Sequence, residues 1–202
     1  MPIQPLPLSA PPAAFAPHLP ADAVERHRQA HQAGLDALNA RLGERADAEP
    51  APALEALAIE ARGALAADAA QAWAEDFHWA ALRPPREGDP DGPAGALAQA
   101  IGRDFGDPGR MRERLGDAAG RLSGPGWAWL VRRRDGRLAI LATPHSATPL
   151  AGSDTPLLAC CLWPHALPGT GGDALQRYLA AYWALLDWSV VEARLEQARA
   201  AA

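Results

Sequence analysis

Cys161 and His165 stand four residues apart, on either side of Trp163-Pro164, at the end of an apolar run from Leu157 to Trp163. A thiolate and an imidazole are both ligands that first-row transition metals accept. The run has the length of a buried strand, and Pro164, with no N–H to give a ladder, marks its exit. Upstream, His27 and His31 are also four apart, and Gln71, Glu75 and His78 recur at steps of four and three. On helices these spacings place each set on one face. Glu75-x-x-His78 resembles half of a di-iron carboxylate motif, but that motif needs carboxylates on partner helices, and the facing stripe offers His27 and His31 instead.

The elements that must carry these groups can be read from periodicity and punctuation. Prolines 2, 5, 7, 11, 12, 17 and 20 should keep the opening extended until Asp22, which can cap a helix in a capping box with Glu25. That helix, to about Arg41, aligns Val24, His27, His31, Leu35 and Leu38. Arg45 to Pro52 reads as a polar linker, and Pro52-Ala-Leu-Glu-Ala-Leu as the start of a short helix. Residues 64–82 are rich in good helix formers and carry Gln71, Glu75 and His78. Arg83 to Gly92, with three prolines and two glycines, is the strongest break in the chain. It divides a helical part, residues 1–84, from a second part, residues 92–202.

Beyond the break, residues 93–105 and 108–122 read as helices, the second capped by Asp107 with Pro108 at its first position. Residues 127–132 and 138–143 flank Asp135-Gly136 as a hairpin. Leu157 to Trp163 adds a third strand, and Asp173 to Ala201 a long closing helix. Arg132-Arg133-Arg134 at the hairpin tip reads as a solvated turn, and the seven tryptophans as core and site walls.

With 202 residues, 49% of them apolar, the chain can bury a real core. A net charge of −5 argues against nucleic acid as a partner. No stretch approaches the roughly 18 apolar residues of a membrane span. The N-terminus has neither the basic nor the apolar region of a signal peptide. Two adjacent cysteines cannot build a disulfide framework. The expectation is a cytoplasmic protein.

Thr155-Pro-Leu-Leu, Leu162-Trp163, His165-Ala166 and Tyr182-Trp-Ala-Leu-Leu-Asp-Trp188 resemble the C-terminal signature of the iron/manganese superoxide dismutases. There an Asp-x-Trp-Glu-His-Ala stretch supplies two of four metal ligands. Leu6-Pro7 and Ala16-Pro-His-Leu19 resemble the family's opening, and residues 95–106 and 124–131 its middle. The resemblance implies an α+β fold: an N-terminal helical hairpin, then helices around a three-stranded antiparallel sheet, with one metal between the two parts. It carries the first ligand to His27 and the fourth to His165, both intact. The second, fixed by Trp73, Phe77 and Trp79, falls on Glu75, and the third on Cys161. Gln71 stands where iron-type members place the glutamine that tunes the centre, and His31 keeps a family histidine. The family's channel tyrosines fall on Leu35 and Pro168, and its bridging glutamate on Pro164.

The resemblance therefore implies iron or manganese, and dismutation of superoxide to oxygen and hydrogen peroxide, on an altered centre. A thiolate and an added carboxylate would favour the oxidised metal and expose a sulfur to peroxide, so dismutation is expected to be weak or lost. The fold would then persist as a non-catalytic dimer, with itself or with an active paralogue. The set His27, Glu75, Cys161 and His165 is also one that zinc accepts. Equally, Glu75 can pair with His27 and Cys161 can pack as a small hydrophobe with no metal held.

Overall fold

Apolar residues at three- and four-residue steps set the first helix. In the computed structural model, which describes residues 2–43, 53–89, 92–167 and 173–201, α1 spans Ala21–Gly43 and buries Val24, His27, His31, Leu35 and Leu38 on one stripe. The capping box does not form. The carbonyl of Pro20 accepts from the amides of Ala23 and Val24, and Asp22 instead pairs with Arg26 one turn on, at 3.4 Å. The opening is not wholly extended either: Pro12–Phe15 makes one 3-10 turn, with proline where no N–H is needed, and it buries Phe15 edge-on against Trp79. The expected polar linker, 45–52, lies outside the described residues.

Two more helices follow, α2 (Leu54–Glu60) and α3 (Gly63–Trp79). Leu35 and Leu38 of α1 close over Leu65, Ala69 and Ala72 of α3 in a small core of their own. The N-terminal segment is tied across this hairpin by polar side chains. Asn39 exchanges two 2.8 Å hydrogen bonds with the backbone of Ile3, Asp76 accepts from the amide of Leu6, and Arg28 donates to the Leu6 carbonyl.

In the second part, α4 (Gly95–Phe105) and α5 (Pro108–Gly120) precede a sheet of β1 (Gly126–Arg132), β2 (Leu138–Pro144) and β3 (Thr155–Cys161). The strand order is β2-β1-β3 and both pairings are antiparallel. Asp107 caps α5 as expected, its carboxylate accepting from the Arg110 amide at 2.8 Å. Along β1, Trp127 to Val131 are all fully buried, so this central strand has core on both faces. Each fully buried Leu or Val there stabilises the fold by roughly 1.5–3 kcal/mol. The third strand ends at Cys161, not at Trp163. The Leu162 amide still reaches the carbonyl of Gly126, but β1 begins there and offers nothing further to pair with. Gly126 itself admits no side chain, because a Cβ would strike the carbonyl oxygen of Thr143 on β2.

The expected closing helix is two helices, α6 (Ala174–Leu185) and α7 (Trp188–Ala200). No proline or glycine separates them. The break comes from the segment after α3, which ends at Trp79 and sends residues 81–83 alongside residues 185–187. The Arg83 amide bonds to the Leu185 carbonyl at 2.9 Å and the Asp187 amide to the Ala81 carbonyl at 2.8 Å. Asp187 then caps α7 through Ser189 and accepts from Arg83, which also binds Asp89 through two nitrogens. The fold is α+β: a helical hairpin followed by helices packed around a three-stranded antiparallel sheet. Replacing Asp187 by Ala removes a cap and an ion-pair partner together. The expected loss is about 1–2 kcal/mol of stability, read as a lower urea midpoint with an unchanged slope.

Candidate metal centre

Three elements bring their polar groups to one point. His27 comes from the buried stripe of α1, and Gln71 and Glu75 from one face of α3, a single turn apart. Cys161 is the last residue of β3, and His165 lies in the turn that follows, where the Ala166 amide bonds back to the Trp163 carbonyl. The facing donor atoms of His27, Glu75, Cys161 and His165 all lie within 4.8 Å of one another. His165 is the most exposed of the four, and its ring stacks on Trp163.

The Glu75 carboxylate occupies the middle of this group. One oxygen lies 2.7 Å from His27 Nε2; the other lies 3.1 Å from His165 Nε2, accepts from Gln71 Nε2 at 3.1 Å and takes the Cys161 thiol at 3.9 Å. Gln71 is held in turn by the indole N–H of Trp127 at 3.3 Å. Burial alone would raise the Glu75 pKa, but the charge interaction with His27 and the hydrogen bonds from His165 and His27 outweigh it and hold Glu75 well below the ordinary carboxylate value. An ionised Glu75 makes both imidazoles present Nε2–H to it. Cys161 moves the other way: burial, and then the nearby Glu75 charge, push its pKa well up, so it stays a thiol.

His31 does not join this cluster. Its Nδ1 lies 3.3 Å from Arg28, and its Nε2 lies 3.6 Å from Asp76, beyond hydrogen-bond reach. It belongs to the Arg28–Asp76 pair that clasps Leu6. Sequence spacing missed one contributor. Trp127 holds Gln71 from a position 56 residues away, a separation over which spacing carries no signal. His78, grouped with Gln71 and Glu75 by its step along α3, turns to the sheet: its Nδ1–H donates to the Ala159 carbonyl at 3.0 Å and its ring stacks on Tyr182.

The convergence of these residues, on this α+β frame, agrees with what comparison with known proteins finds. Residues 93–194 match the family described as iron/manganese superoxide dismutases, C-terminal domain. The chain is 36% identical over 183 residues to "Superoxide dismutase [Fe]" of Salmonella typhimurium, covering 90% of this chain and 92% of the relative, and equally so to that of Escherichia coli. A third relative of the same name, from Coxiella burnetii, is 32% identical over 88% of this chain and 90% of its own length. The chain belongs to the iron/manganese superoxide dismutase family.

The donors can be weighed against the metal that the family's name implies. A metal ion collects lone pairs, and its ligands must shed their protons. Here both imidazole nitrogens that face the centre are spent as donors to Glu75, and the sulfur keeps its proton. Those nitrogens and the sulfur would have to give up their facing protons before His27, Glu75, Cys161 and His165 could hold an ion. What the arrangement does chemically is hold one buried negative charge with four N–H and S–H donors.

Two expectations follow for this member of the family. Burial pushes the His31 imidazole down to about 4 and that of His78 down to about 3, so both stay neutral in the fold while an unfolded chain protonates them near 6.5. The unfolded state then binds more protons between those values, and stability falls by several kcal/mol as pH drops from about 6.5 towards 4. Glu75, depressed in the fold, keeps its full contribution above the ordinary carboxylate value and loses it only below. Urea denaturation across this range checks the slope, and His78→Asn should flatten it. Separately, Cys160 and Cys161 are both 0% exposed, so neither should react with a thiol reagent until the protein is unfolded, when both should.

Proposed function

We propose that this chain is a superoxide dismutase-family protein that has given up ordinary dismutation, and that its fold serves as a non-catalytic dimer or binding partner. The observation that carries the reading is the Glu75 carboxylate, which binds the two imidazole nitrogens a metal would need. Dismutation requires an ion that cycles between two oxidation states with an open position for superoxide. With both imidazoles protonated towards Glu75 and Cys161 held as a thiol, this chain's residues retain a hydrogen-bonded wall, but no imidazole or thiolate lone pair free at the centre. The partner in this reading is a second copy of the chain or an active paralogue. Pro164, in the place of the family's bridging glutamate, leaves such a pairing to rest on packing. Residues 1–84 and 92–202 act as its two domains, and the cytoplasm is its compartment.

A second reading keeps the centre as a zinc site. The mutual approach of one carboxylate, one sulfur and two imidazole donors within 4.8 Å favours it. Zinc would be held by His27, Glu75, Cys161 and His165, once the thiol and the imidazoles had lost their facing protons. It would supply structural stabilisation and no electron transfer.

Protein purified without added metal is expected to carry far less than one equivalent of iron or manganese by elemental analysis, and to show little dismutase activity. Stoichiometric iron or manganese with high turnover would refute the non-catalytic reading, and stoichiometric zinc would favour the second. In the double variant Glu75→His, Cys161→Asp, the central anion becomes a neutral ligand and the thiol a carboxylate. It is expected to gain iron or manganese on expression in medium containing those metals; no gain would mean that more than the ligands has changed.

A further inference from the structure

Beyond the centre, three arginines with no ion-pair partner among the described residues, Arg132, Arg134 and Arg194, line one groove. The arginines around the hairpin tip divide by side. Arg103 and Arg137 share the buried carboxylate of Asp104, whereas Arg132 and Arg134, on the other side, have no ion-pair partner among the described residues. These two line a groove of about 620 Å³ between α3, α7, the end of β1 and the start of β3. Its wall is aromatic and rigid. Trp73, half-buried, stacks on the fully buried Trp129 at 6.0 Å. The Arg194 guanidinium lies 3.5 Å from the centre of the Phe77 ring, and donates to the carbonyls of Phe77 and Leu157 at 2.9 and 3.1 Å. It is thus a fixed positive group with no ion-pair partner among the described residues, and burial lowers its pKa to about 10. Among the described residues that line the groove, only Glu55 opposes it in sign.

We propose that this groove binds an extended acidic peptide segment of a partner protein, one that also carries an aromatic or other apolar side chain. In an extended peptide, side chains two residues apart point the same way, roughly 6.5–7 Å from each other. Two acidic side chains at that step suit Arg132 and Arg134, themselves two residues apart. A further alternate position then falls against Trp73 and Phe77. Because the packing of Trp129 and Arg194 already fixes this wall, little side-chain freedom is lost on binding. A polyphosphate backbone suits the groove poorly: the whole chain carries −5, and affinity for such a backbone grows with the number of cations that displace counterions.

The role of the groove as a partner surface rests on the binding-partner reading above. Peptide binding is measured with neither metal nor superoxide present, so failure of either proposal leaves the result for the other intact. The experiment titrates the protein into a fluorescein-labelled random copolymer of Glu and Tyr and follows anisotropy. Binding that weakens with salt, and that falls about tenfold or more in R132E/R134E, is the expected result. Circular dichroism of the variant, whose two changes lie away from the core, should match that of the original. Absence of binding, or equal binding by the variant, overturns the proposal. So does labelled oligothymidylate that binds as tightly as the copolymer and is lost in the same variant, which would make the groove a phosphate site. Polyglutamate that binds as well as the copolymer removes the aromatic half of the proposal.

Discussion

One buried negative charge organises the middle of this protein. Leaving a carboxylate unpaired in such a place costs several kcal/mol, and Glu75 avoids the cost by drawing hydrogen-bond donors from α1, α3, the end of β3 and the turn after it. A metal ion would gather the same side chains through their lone pairs. Here the Glu75 carboxylate gathers them through their protons. An imidazole at position 75 would point a lone pair inward, whereas a carboxylate brings its own charge to the centre.

The same charge also bears on the thiol at the strand end. Next to a cation, a cysteine sulfur ionises readily; next to Glu75, with no exposure to solvent, Cys161 is held protonated and unreactive. Its neighbour Cys160 faces the opposite side of the strand, as the twofold period of β structure requires. Two adjacent thiols therefore serve two separate packing environments.

Much of this was legible in the chain. The stripe from Val24 to Leu38, the Asp107 cap and the Asp135-Gly136 turn are local signals, each with a local cause, and each appears in the fold where spacing puts it. The meeting of His27, Glu75, Cys161 and His165 was reachable only through resemblance, because no periodicity links residues 27 and 165. What stayed hidden was set by long-range partners. The third strand ends where β1 begins, not at the nearest proline. Asp22 finds Arg26 because Pro20 already serves the helix start. The closing helix breaks without any breaker, since residues 81–83 compete for its backbone groups. Nor could spacing show that Glu75 would reach towards the two imidazoles as an acceptor.

The reciprocal backbone bonds between residues 81–83 and 185–187 have one more consequence. They join the segment leaving α3 to the α6–α7 junction, so neither strand of that joint can fray alone without stranding amides and carbonyls of the other. The amides of Arg83 and Asp187 thus belong to one opening unit, and solvent deuterium should reach both through the same event. A stretch with the composition of a loose connector, rich in proline and glycine, is anchored at its first residues as firmly as the helices it joins.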